Sequence, residues 1–161
     1  MIFSSYIFVL AFLPVAVLGY WLIQRRRGLE SAMVWLTLCS LFYYGWWNPI
    51  YLILICSLML INYGIGLLIY QRRFAPKLLM IAGVTFNLSV LGYFKYMDFF
   101  IVSVNGIADT NFNLMHIVLP LGISFFTFQK IAFLVDSYHR KIDHYSFLHY
   151  CLFVTFFPQL I

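Results

Sequence analysis

The stretch LPLGISFFTFQKIAFLVDSYHRK, Leu119 to Lys141, is apolar for most of its length, carries Gln129 and Lys130 in its middle, and ends in Asp136, His139, Arg140 and Lys141. In water, so apolar a run needs a large core to hide in. In hydrocarbon it reads as a helix that crosses the membrane and ends in a polar collar. The rest of the chain favours hydrocarbon. Hydrophobic residues make up 64% of the 161 and charged residues 9%, against roughly a quarter charged in a soluble domain. Aromatic residues reach 21%, and many Trp and Tyr stand near the ends of apolar runs, where amphipathic rings prefer the headgroup layer.

Outward from that stretch, the apolar runs repeat. Phe3 to Ile23 is uncharged and at helical rise covers about 30 Å, the thickness of a hydrocarbon core; Pro14 is expected to kink it. RRR, Arg25 to Arg27, follows the apolar run, the reverse of a secretory signal peptide, so this run is expected to stay as a span. Ala32 to Trp47 is shorter and stops at WWNP, where Asn48 and Pro49 predict a turn with the Trp pair at the interface. Ile50 to Tyr70 and Leu78 to Phe94 are full spans. Lys95 to Met115 mixes charge, Asn and a short apolar run, and reads as an interfacial segment followed by an external loop. Ile117 to Val135 makes the fifth span, with Pro120 expected in its first turn. Phe147 to Ile161 begins a sixth. The expected fold is all-α: a polytopic transmembrane bundle of five full spans and a truncated sixth, spanning residues 3–23, 32–47, 50–70, 78–94, 117–135 and 147–161, as a single unit over 1–161. Because the sixth run stops after about 22 Å on an uncapped FFPQLI, the chain is expected to be the front of a longer polypeptide.

Basic residues follow the first, third and fifth runs: Arg25 to Arg27, then Arg72, Arg73 and Lys77, then Arg140 and Lys141. All three clusters fall on one side, which the positive-inside rule makes cytoplasmic and which leaves the N-terminus outside. The formal net charge of +5 is thus spread over loops and forms no basic stripe, which argues against nucleic acid. Cys39, Cys56 and Cys151 lie in apolar runs without CxxC spacing and read as small hydrophobes.

Candidate chemistry is sparse. Lys130 is an ionisable group at membrane depth, a functional candidate if its head stays inside the bundle; the competing reading is a buried stem snorkelling to the nearby cytoplasmic interface. Gln129 and Asn87 read as interhelical hydrogen-bonding amides. Asn62, Gly64 and Gly66 read as a close-packing face. Asp136, His139 and Arg140 share a helix face, either as a charged lip at a substrate entrance or as an i,i+4 ion pair at a helix end. His139, His144 and His149 turn by about 140° at each step on a helix, so no metal site is expected. His116 stands beside an external loop. No nucleophile elbow, phosphate-binding loop or paired carboxylates are present to suggest a catalytic centre.

The segments SLFYYGWWNPIYLILICS, INYGIGLLI, GVTFNLSVLGYFKYMDFF, LPLGISFFTFQKIAFLVDSYHRK and YCLFVTFFPQLI, in that order, resemble the membrane-bound O-acyltransferase (MBOAT) family. Within it they are similar to the branch of bacterial alginate O-acetyltransferases and D-alanine-transferring proteins of teichoic acid modification. The resemblance covers most of the chain after residue 38 and is to the N-terminal part of such proteins. It implies an enzyme that passes an acyl group, acetyl from acetyl-CoA or another acyl thioester with no resident cofactor, to a hydroxyl of an exported polysaccharide such as alginate, at the bacterial inner membrane with periplasmic or extracellular partner proteins. A histidine acting as general base suits such a reaction. The family's histidine lies in a Trp-His-Gly type motif beyond FFPQL, and this sequence holds no Trp-His pair, so no catalytic residue is carried over. Gln129, Lys130 and Asp136 fall in the family-typical stretch and are expected to line a central funnel. Two other readings stand beside this one. A transporter or flippase also uses Gly, Pro and amides near mid-membrane. An acyltransferase remnant would keep the scaffold without the chemistry.

Overall fold

The computed structural model describes residues 6–72, 75–108, 113, 119–120, 122–141 and 146–156. Six α-helices follow one another: α1 (Leu13–Arg27), α2 (Leu29–Trp47), α3 (Pro49–Gln71), α4 (Pro76–Ala108), α5 (Ile123–His139) and α6 (Phe147–Thr155), with a π-helical stretch, Phe8–Phe12, leading into α1. No strand occurs among the described residues. Two helices are long and apolar enough to cross a membrane, Pro49–Gln71 and Pro76–Ile107.

Two single-residue joints fold the first three helices back on one another. Gly28 ends α1 by donating its N–H to the Gln24 carbonyl at 3.2 Å and starts α2 with φ 88° and ψ 178°, a conformation open essentially to glycine alone. Asn48 ends α2 and caps α3: its side-chain oxygen accepts from the Ile50 N–H at 2.9 Å, and Pro49, whose missing N–H costs nothing at a first helical position, follows. The WWNP turn is therefore a proline-primed N-cap. Pro14 sits just past the π stretch, where the Leu13 N–H reaches back to Phe8 O. The wider five-residue spacing loosens the ladder where proline cannot donate.

Several helix boundaries differ from the sequence reading. α4 does not stop at Phe94 but runs on to Ala108, about 50 Å at helical rise. Lys95 and Asp98 mark where an apolar solvent would end, not where the backbone ladder does, so the segment read as interfacial and external is helical up to Ala108. Pro120 is not in the first turn of α5, which starts at Ile123 after Gly122 at φ 70°; the Pro120 carbonyl accepts from the Ile123 N–H at 3.2 Å. At the sixth run, the described helix covers Phe147–Thr155, and residues 157–161 lie outside the described residues.

α5 is the hub, packing on α3, α4 and α6, while α2 joins α1 to α3 and α6. The larger core gathers Tyr44, Ile55, Met59, Ile69, Phe126, Phe133, Leu134, Tyr150, Cys151 and Val154; a smaller one holds Phe8, Ala16, Cys39 and Tyr43. The neighbours Tyr43 and Tyr44, edge to face at 5.8 Å, join the two. Between α1 and α2, Gly19 leaves the notch that seats Trp35: a Cβ there would stand 2.5 Å from the indole, whose Nε1 donates to Ala16 O at 3.0 Å. Large apolar side chains such as Leu10, Val17, Trp21, Phe42, Ile53 and Phe99 point outward, a surface that suits hydrocarbon and not water.

Gly28→Ala is expected to lower stability by about 1–3 kcal/mol, since the backbone there excludes a Cβ; a thermal melt of the detergent-solubilised chain unchanged from wild type would show that the joint tolerates an L-residue.

Candidate functional site

The buried stripe of α5 is Ile123, Phe126, Thr127, Gln129, Lys130, Phe133, Leu134 and Ser137. Its three- and four-residue spacing marks the face that a helix turns to its neighbours. Lys130 stands at the centre of that stripe and is 2% exposed. Such burial differs from the solvated head that snorkelling would give. No hydrogen bond or ion pair joins Lys130 to another described residue.

Most other polar groups nearby are satisfied. The Thr127 hydroxyl donates to Ile123 O at 2.8 Å and that of Ser137 to Phe133 O at 2.7 Å, the back-bond that lets hydroxyls sit inside an apolar bundle. Beside α5, Asn62 of α3 and Asn87 of α4 form a reciprocal amide pair: Asn62 Nδ2 donates to Asn87 Oδ1 at 3.2 Å, and Asn87 Nδ2 donates to Asn62 Oδ1 at 2.6 Å. Each amide gives its second proton to its own helix, to Leu58 O at 2.8 Å and to Gly83 O at 2.7 Å. The expected interhelical role of Asn87 is thus what the structure has, with Asn62 as its partner. Gly66 is buried as expected of a packing surface, whereas a Cβ on Gly64 would meet nothing within 4 Å.

Another buried polar group is the Tyr44 hydroxyl, which finds no hydrogen-bond partner among the described residues. The Tyr44 ring meets Phe126 edge to face at 5.1 Å, and Phe126 is one turn before Lys130. Tyr44 thus packs on α5 one turn before Lys130. Sequence reasoning missed Tyr44, since a Tyr pair two to three residues before WWNP reads as part of the interfacial aromatic belt; a helical-wheel alignment of α2 against α5 is the signal that would have found it.

Gln129 and Asp136 lie two turns apart on α5, about 10 Å by rise; Gln129 is buried and Asp136 half-buried. No ion pair links Asp136 to Lys130 or to Arg140. The i,i+4 pair does not form because Arg140 has left the helix at φ 55°. It instead closes a Schellman-type end in which the Lys141 N–H reaches Asp136 O at 3.0 Å and the Arg140 N–H reaches Ser137 O at 3.3 Å. Among the described residues no three His, Cys, Asp or Glu groups converge as metal ligands. His139 and His149 are exposed; His116 and His144 lie outside the described residues. Cys39, Cys56 and Cys151 carry free thiols.

No family model matches the chain, and no solved structure matches it. Curated relatives do. The peptidoglycan O-acetyltransferase of Helicobacter pylori is 38% identical over 191 residues, an alignment that takes in 100% of this chain and 36% of that protein. The probable alginate O-acetylase AlgI of Pseudomonas aeruginosa is 38% identical over 170 residues, with 100% and 32% covered, and that of Azotobacter vinelandii is 35% identical over 170 residues, with 100% and 33% covered. The chain spans about a third of the length of these relatives.

Two substitutions probe the site's physics. Lys130→Met, near in length and apolar, is expected to raise stability by about 2 kcal/mol, because a charged group at membrane depth is costly without partners; a lower melting temperature would instead reveal an interaction that holds the ammonium. Asn62→Leu and Asn87→Leu should each cost about 1–3 kcal/mol by orphaning the other amide, and the double variant less than their sum, read as a coupling energy of about 0.6 kcal/mol or more in a double-mutant cycle. From end to end, the chain matches a fragment of O-acetyltransferases of the membrane-bound O-acyltransferase type.

Proposed function

We propose that this chain forms part of a membrane O-acyltransferase that passes an acetyl group from an acyl thioester such as acetyl-CoA to hydroxyls of a cell-envelope polysaccharide, peptidoglycan or alginate being the acceptors named for its relatives. The observation that carries this reading is the similarity over 100% of the chain to O-acetyltransferases at 38% identity. In the transfer, the acceptor hydroxyl oxygen bonds to the acyl carbon, the C–S bond breaks, and the hydroxyl proton passes through a base to the departing thiolate. The base lies in the remainder of the enzyme. Lys130, inside the α5 stripe with the Tyr44 phenol nearby, supplies positive charge and a hydroxyl donor for the negative charge that develops on the carbonyl oxygen. Gln129 and Asp136 shape the wall of the same funnel.

The helices lie in the bacterial inner membrane as one N-terminal unit of five full spans and a sixth begun by α6. The basic clusters at the C-terminal ends of α1, α3 and α5 face the cytoplasm, where a thioester donor is available, and the N-terminus and the Asn48 turn face outward. Acceptor delivery falls to partner proteins on the outer side.

The test is a chimera in which this chain replaces the matching third of the Pseudomonas aeruginosa alginate O-acetylase, expressed in a strain lacking that enzyme. Acetyl ester in the exported polymer should return, and Lys130→Met in the chimera should reduce it by about a hundredfold with membrane protein levels unchanged. A stably inserted chimera that never acetylates would sink the family assignment of function, and a fully active Lys130→Met chimera would remove Lys130 from the chemistry. Membranes holding residues 1–161 alone are expected to transfer nothing; turnover there would place the base within this chain.

A further inference from the structure

The seam between α1 and α2 carries an open groove that the function above does not use. One part, about 290 Å³, is lined by Phe12, Val15, Ala16, Trp35, Leu38 and Phe42, with Cys39 at its floor. A second, about 330 Å³, is lined by Ile23, Arg27, Ser31, Val34, Trp35 and Leu38. Trp35 and Leu38 line both, so the two adjoin along the seam as a trough with the Trp35 side chain between its parts. From Phe12 to Arg27 it extends about 22 Å at helical rise, enough to take an acyl chain through one leaflet of about 15 Å.

The two ends differ in chemistry. Toward Phe12 and Phe42 the wall is apolar. Toward Arg27 it carries a guanidinium and the Ser31 side chain, whose hydroxyl donates to Arg27 O at 3.5 Å; Arg26 precedes Arg27 in the chain without lining the trough, and neither arginine pairs with Glu30 or any other described carboxylate. Arg25 is held over the Trp21 ring at 3.8 Å, which keeps a third positive charge at the same end. α2 begins there too, at Gly28, which has no side chain to cap it, so the first N–H groups of α2 stay open to an acceptor and the helix dipole adds positive character. Trp35, fixed by its bond to Ala16 O and seated in the Gly19 notch, gives the trough a rigid middle.

We infer that this trough binds an anionic phospholipid, its phosphate held by Arg27 with the charge of the neighbouring Arg26 in support, and one acyl chain laid along Trp35 toward Phe12 and Phe42. Charge complementarity selects the occupant: a zwitterionic headgroup brings no net charge to this cluster, and a transmembrane helix would set apolar side chains against arginines that have no partner.

Trp35 reports on the site. The chain carrying Trp21→Phe, Trp46→Phe and Trp47→Phe, reconstituted in phosphatidylcholine vesicles with a minor fraction of brominated phosphatidylglycerol, should show Trp35 fluorescence quenched more by that lipid than by an equal fraction of brominated phosphatidylcholine. Arg27→Gln and Arg26→Gln should each weaken the preference about fivefold, while Arg72→Gln, at a different helix end, leaves it unchanged. Equal quenching by the two lipids, insensitive to Arg26 and Arg27, would reduce the trough to ordinary lipid contact and overturn the inference. No quenching by either would mean that protein covers the seam, a second copy or a further helix, and would overturn it as well. If the triple tryptophan variant fails to fold, native mass spectrometry of the wild-type chain replaces it: phosphatidylglycerol retained in preference to phosphatidylcholine, and lost in Arg27→Gln, supports the site, and equal retention rejects it.

Discussion

The reciprocal amide pair between Asn62 and Asn87 fixes α3 against α4, and the position of α5 follows from it. Both side chains are buried, at 0% and 1% exposure. In a medium without water, the second proton of each amide has nowhere to go but its own helix, which locks both rotamers. Asn87 spends that proton on Gly83 O, and Gly83 makes room for α5: a Cβ there would stand 2.7 Å from Leu134 Cδ1 and 3.3 Å from Ile65. The amide that clasps α3 to α4 thus also anchors the glycine notch that receives α5. Leu134, 0% exposed, lies one turn after Lys130, so the depth and rotation of the lysine are set by a contact that the amide pair stabilises.

Aromatic packing carries the same order outward. Tyr63 of α3 meets Phe147 and Tyr150 of α6 at 4.9 and 5.6 Å, Phe133 of α5 meets Tyr150 at 4.2 Å, and Tyr44 brings α2 onto Phe126. In lipid the apolar effect does not favour helix against helix over helix against tail, so ring contacts of this kind, the small-residue notches at Gly19 and Gly83 and the few hydrogen bonds provide the association. Among the described residues α1 packs chiefly against α2. That peripheral position leaves the α1–α2 seam open to the surroundings.

Much of the fold was legible in the sequence because hydrocarbon imposes simple rules. The all-α class, the turn at Asn48 and Pro49, the joint after Arg25 to Arg27 and the interhelical amide at Asn87 follow from run length, cap chemistry and the cost of a bare amide in lipid. The errors share one cause. Hydropathy marks the edge of the apolar solvent, and α4 continues through Lys95 and Asp98 because a helix in water or headgroups keeps its own hydrogen bonds. The Asp136–Arg140 pair failed for a related reason: the face-sharing argument presumes a helix that persists to Arg140, whereas the αL backbone of that residue ends it. Tyr44 was hidden because its partner, Phe126, is distant in sequence, and only packing shows which residues of two helices face each other.

The buried polar groups of the bundle separate into two kinds, and the separation bears on chemistry. Thr37, Ser40, Thr127, Ser137 and Thr155 return their hydroxyl protons to carbonyls one turn back, and Asn62 and Asn87 close on each other; the donors of these groups are satisfied within the bundle. Lys130 and the Tyr44 hydroxyl do not follow this pattern among the described residues. A satisfied polar group inside a membrane bundle stabilises the fold. An ammonium without a described partner destabilises it unless something anionic arrives, so its place in the buried stripe of α5 is what structural economy alone does not explain. The amides therefore hold the scaffold together, whereas Lys130 adds nothing to it that a hydrogen bond or ion pair would supply.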